Sequence, residues 1–111
     1  MCGLAGLIIG KKKDRSKGDF KKIREDFSNL MVATQVRGTH ATGAFVLDAK
    51  KGIRYYKLPV PASRMVKTGE WFALLDMLNT DTVAIIGHVR FATKGSTSVN
   101  ENNHPIVMNN I

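Results

Sequence analysis

The chain's one cysteine, Cys2, directly follows Met1. An initiator methionine is normally trimmed when the next residue is small. That would leave Cys2 carrying a thiol and a free α-amine on the same residue. In unstructured peptides an α-amine titrates at about 7.7–8.0 and a thiol at about 8.5. An amine so placed can act as general base for its own thiol near neutral pH, the arrangement used by N-terminal nucleophile enzymes. By residue type alone, Cys2 reads first as a small buried hydrophobe, so the chemical reading needs support from elsewhere in the chain.

Two further segments offer it. In Arg37-Gly38-Thr39-His40-Ala41-Thr42-Gly43 two glycines bracket a change from helix to strand, where positive φ is expected. Arg37 is a candidate neighbour of the nucleophile, or equally a basic residue suited to the negative end of a helix dipole. In Gly87-His88-Val89-Arg90-Phe91-Ala92-Thr93-Lys94-Gly95, Arg90 closes an apolar run and precedes a polar loop. An arginine in that place can hold a carboxylate through two parallel N–H bonds. His88 stands two residues earlier, on the same side of a strand, and reads as a structural histidine before a catalytic one. His104-Pro105 closes the loop. No Cys, His or carboxylate cluster has metal-ligand spacing.

These residues need a scaffold. The apolar stretch from Cys2 to Gly10 reads as a buried strand. Phe20, Ile23, Phe27, Leu30, Met31 and Thr34 recur at helical spacing, with Lys21, Lys22, Arg24 and Glu25 opposite them. Ser16 or Asp19 is the expected cap, and Gly38 lies just past the end. Phe45–Leu47 and Ile53–Tyr56 are rich in strand formers, with a hairpin at Lys50-Lys51-Gly52. A second helix is expected between Ser63 and Leu78, broken at Gly69. A strand then runs from Thr82 into Arg90, a loop from Thr93 to Asn103, and a last strand over Ile106–Met108. The order β-α-β-β-α-β-loop-β predicts an α+β class with helix layers around sheet.

Composition narrows the setting. A chain of 111 residues makes one domain, and 43% apolar with 23% charged residues suits a globular one. The net charge of +8 favours anionic partners. Its densest part, Lys11, Lys12, Lys13, Arg15 and Lys17, reads as a solvated loop, and nucleic acid is a weak expectation because no recognition motif accompanies it. The run Leu4–Ile9 is too short to span a bilayer and has its lysines on the wrong side for a signal peptide. A lone cysteine fits a reducing compartment, so the cytoplasm is expected.

Taken together, Met-Cys-Gly-Leu-Ala-Gly at the start, Arg37-Gly38 with Gly43, Gly87-His88-Val89-Arg90 with Thr93 and Gly95, and Asn102-Asn103-His104-Pro105 resemble the class II glutamine amidotransferase domain. The motifs stand in the family's order across nearly the whole chain. The resemblance implies a four-layer αββα sandwich of the N-terminal nucleophile hydrolase type. It implies Cys2 as nucleophile toward the side-chain amide of glutamine, with its amine as base through water. It implies Arg90 as the clamp on the glutamine carboxylate, with Phe91 and Thr93 lining the same pocket and Arg37, Gly38, His88 and His104 in support. No cofactor is expected. Two residues depart from the pattern: His40 stands where an acidic residue is common, and Lys94 where some members have His.

The family's Asn-Gly oxyanion segment, and the acidic residue beyond it that binds the substrate amine, have no counterpart before Ile111. Residues 1–111 are therefore expected to form the N-terminal part of one such domain, incomplete at its C-terminus. Little glutaminase turnover is expected of the chain alone, since one lost oxyanion donor costs about 2.7–4 kcal/mol. Two rival readings differ in class. One is a non-catalytic remnant or subunit that pairs with a partner chain. The other is a small basic nucleic-acid-binding protein.

Overall fold

The computed structural model describes residues 2–10, 14–92 and 103–105. It has β1 (Gly3–Ile8), α1 (Lys17–Thr34), a 3-10 turn (Gln35–Arg37), β2 (Ala41–Asp48), β3 (Gly52–Leu58), α2 (Ala62–Met65), α3 (Gly69–Asp76) and β4 (Thr82–Arg90). The expected strand over Ile106–Met108 lies outside the described residues.

Local chemistry accounts for most of the boundaries. At the start of α1, Ser16 accepts from the Asp19 amide while the Asp19 carboxylate accepts from the Ser16 amide, a reciprocal capping box. Ser16 and Asp19 therefore share the role that sequence assigned to one or the other. The expected second helix is two: α2 ends at Met65, and Thr68 caps α3 by accepting from the Trp71 amide. Between β2 and β3, Gly52 takes a φ of 80°, the left-handed value that glycine permits after a three-residue hairpin loop.

The four strands form one antiparallel sheet in the order β1-β4-β2-β3. Gly3 pairs with Val89, Thr42 with Val89 and Leu58, and Ala44 with Gly87 and Tyr56. Alternation along each strand sends Ala5, Ala44, Val46, Ile85 and Val89 to one face. There Phe27 and Met31 of α1, Ala62 and Met65 of α2, and Trp71, Leu74 and Leu75 of α3 close a single core. Phe27 and Trp71 stack with centroids 5.8 Å apart, and the buried Trp71 indole donates to Ser28 Oγ at 2.9 Å. Gly87 is needed on this face, because a side chain there would run into Met31 and Phe27.

This architecture corrects the four-layer αββα expectation. The described residues make an α+β domain with one four-stranded antiparallel sheet and three helices. The physical reason lies in pairing: β4 takes β1 and β2 on its two edges, and β2 takes β3, so every described strand is used in one sheet. The opposite face carries Leu4 and Ile8 at 75% and 81% exposure, with Ile53 at 61% and Tyr55 at 47%. Across part of it lie Asn103, His104 and Pro105.

Candidate active site

Cys2 stands immediately before β1 and is exposed, which overturns its reading as a buried hydrophobe. Its Sγ lies 3.8 Å from the Phe91 carbonyl oxygen, just beyond the end of β4. Arg37, in the turn after α1, donates from Nε to the Cys2 carbonyl at 3.1 Å. Gly3 makes that approach possible, since a Cβ there would sit 2.9 Å from Thr34 Cγ2 and 3.0 Å from Arg37 Cβ. A chain start, a helix end and a strand end thus meet at the thiol.

Gly38 and His40 fasten the same corner to β4. The expected positive φ does not occur at Gly38 or Gly43, for the described residues with positive φ are Gly10 and Gly52. Gly38 is extended, with φ at −179°, and is glycine for lack of space: a Cβ would lie 2.6 Å from the Phe91 nitrogen. His40 donates its amide to the Arg90 carbonyl at 3.0 Å. Its Nδ1 accepts from the Ala92 amide at 2.9 Å. The ring also stacks on Phe91, with centroids 4.6 Å apart. Sequence reasoning treated His40 only as a departure from the family pattern. The histidine instead packs on Phe91, a residue that remains 47% exposed at the thiol's end of the sheet.

Arg90 is 93% buried, with 7% of its surface exposed, and donates from Nη1 to Asn103 Oδ1 at 2.8 Å. Asn103 is fully buried, and its carbonyl accepts from Lys57 Nζ at 3.0 Å. Neither Asn103 nor Lys57 was singled out for a role from sequence. In the sequence, Asn103 stands out only within the Asn102-Asn103-His104-Pro105 motif of the family resemblance. Gly43 lies directly beneath this segment, where any side chain would collide with the His104 carbonyl.

His88 and His104 stack at a tilt, with ring centroids 4.1 Å apart, and flank a cavity of about 260 Å³ shared with Leu4, Phe45 and Ile86. Burial, then the neighbouring His104 and Arg90 charges, push His88 down to about 4. Burial, with Arg90 and Lys57, also lowers His104. Among the described residues, His88 Nδ1 is buried without a hydrogen-bond partner. His88 thus lies two strand positions from Arg90, with His104 packed on its ring.

Thr93 lies outside the described residues, as do Lys94 and Gly95. Among the described residues no three His, Cys, Asp or Glu side chains group to hold a metal, and no helix is long and apolar enough to cross a membrane. A larger groove of about 620 Å³ runs between α1 and α3, past Arg24, Ser28 and Phe72, and contains none of the predicted site residues. No family model matches the chain, and no curated protein matches it.

Proposed function

We propose that the protein acts on the side-chain amide of glutamine, with Cys2 as nucleophile. The observation that supports this reading best is the convergence at one end of the sheet of Cys2, Arg37, Arg90 and Phe91, which are far apart in the chain. An exposed thiol is held by its own backbone next to the end of the strand that carries Arg90. With Met1 removed, the α-amine takes the thiol proton through water, and the sulfur attacks the carboxamide carbon. The C–S bond forms, the C–N bond breaks with a proton delivered to nitrogen, and ammonia leaves a thioester. Water then cleaves the thioester to glutamate and restores the thiol. Arg90 has the planar donor set that suits the α-carboxylate of the substrate. A lone exposed thiol suits a reducing, cytoplasmic compartment.

The test is covalent labelling by two diazoketones, one a glutamine analogue and the other its counterpart without the α-carboxylate. The expected result is labelling at Cys2 alone, faster with the first reagent. Equal rates with both would sink the glutamine reading.

A second reading, a subunit that pairs with another chain, is favoured by the exposed apolar face of Leu4, Ile8, Ile53 and Tyr55. Charges introduced there, Leu4→Glu with Ile8→Glu, should reduce the protein's size in cell extract to that of the 12.2 kDa chain. An unchanged size would count against this reading.

A further inference from the structure

We infer that Asn103 is a positioning residue for Arg90, fixing the guanidinium that receives the substrate carboxylate; this rests on the glutamine reading above. The geometry is specific. Asn103 is fully buried and presents Oδ1 to Arg90 Nη1 at 2.8 Å. A guanidinium has no acceptor, and its donors lie in one rigid plane. Holding one nitrogen therefore constrains the direction of the whole fork. A side-chain amide does this without a negative charge. An aspartate at the same place would instead neutralise Arg90 and compete with an incoming carboxylate.

Asn103 is itself held. Lys57 Nζ, reaching across from β3, donates to its carbonyl at 3.0 Å. The absence of a side chain at Gly43 lets the His104 carbonyl settle onto β2, and the His104 ring packs on His88. Three strands thus hold the segment 103–105 in place: β3 through Lys57, β2 through Gly43, and β4 through His88 and Arg90. The segment in turn aligns Arg90. Arg90 sits two residues from His88 on the strand whose end approaches Cys2, so its orientation is coupled to the place where a substrate must lie.

The two diazoketones used above test this. In Asn103→Ala, the rate of Cys2 labelling by the glutamine analogue should fall by about tenfold, the loss of one hydrogen bond to a charged group. The rate with the carboxylate-free reagent should be unchanged. A merely structural role would slow or speed both reagents together, and that result, or no change with either, would overturn the inference. Because Asn103 is buried, Lys57→Met provides a second variant that leaves Asn103 in place. It should reproduce the selective loss at smaller size, and an unchanged ratio in both variants would also overturn the inference. If the wild-type protein itself showed no preference for the glutamine analogue, the glutamine reading would fail and the role of Asn103 with it. A wild-type preference that survives in both variants would remove the positioning role alone.

Discussion

At the hairpin end of the sheet, Asp48 accepts from the Lys50 and Lys51 amides at 2.8 and 3.0 Å and from Asn79 Nδ2 at 2.7 Å. Asn79 Oδ1 accepts from the Asp81 amide, and Thr82 Oγ1 accepts from the Asn79 amide. Apart from the bond between Asp48 and Asn79, each of these spans two or three residues. Here polar side chains close turns. At the opposite end the bonds join Arg37 to Cys2, His40 to Ala92, and Lys57 to Asn103, separations of 35, 52 and 46 residues. There polar side chains hold distant segments around an exposed thiol. One sheet thus has an end whose polar cluster closes turns and an end whose cluster ties distant segments together, the end at which we propose the chemistry. Most bonds at the first end are local, while these three at the second are not.

That contrast predicts that variants at the two ends separate labelling from stability. The largest effect is expected for Cys2→Ser, which should abolish covalent labelling by either diazoketone while leaving the thermal midpoint near that of the wild type. Labelling that persists in Cys2→Ser would move the chemistry elsewhere. Next is Arg90→Lys, which keeps the charge but loses the planar fork. Labelling by the glutamine analogue should slow about tenfold or more, and an unchanged rate would discard Arg90 as the carboxylate clamp.

Asp48→Ala probes the other end. The Asn79 hydrogen bond, followed by those from the Lys51 and Lys50 amides, holds the Asp48 carboxyl below its ordinary 3.8. Its contribution to stability is therefore present above that value and lost as pH falls through the lower folded value. The variant should melt earlier than the wild type at pH 7 with labelling of Cys2 unaltered. A change in labelling would erase the distinction between the two ends.

The smallest effect concerns the histidine pair. His88 is neutral in the folded protein down to about pH 4, whereas the unfolded chain takes up its proton near 6.5. More protons are bound in the unfolded state across that window, so stability is full above pH 6.5 and declines as pH falls toward 4. Allowing for the ring's partial exposure, the loss is about 1–2 kcal/mol. Chemical denaturation between pH 7 and 4 should show a shallower decline in His88→Gln. An equal slope in both proteins would remove His88 as its source.

Much of the scaffold follows from local sequence, because the forces that set it act over a few residues. The stripe of Phe20, Ile23, Phe27 and Met31 with Ser16 and Asp19 before it specifies α1, whereas the break expected at Gly69 falls just ahead of it, where Thr68 caps α3 and Gly69 is its first residue. The Lys50-Lys51-Gly52 turn joins β2 to β3. The residues that could do chemistry, Cys2, Arg37 and Arg90, are recognisable by type. Tertiary structure decided the rest. Strand pairing is non-local, and a single sheet absorbed all four described strands where layered sheets were expected. Gly38 and Gly43 are glycines because other backbone lies against them, which no local pattern reveals. Cys2 is exposed although its composition suits a core. His40, Lys57 and Asn103 acquire their roles only when the strand ends meet. A side-chain hydrogen bond between residues tens of positions apart leaves no periodicity in the sequence; it exists only once strand pairing and tertiary packing set those residues side by side.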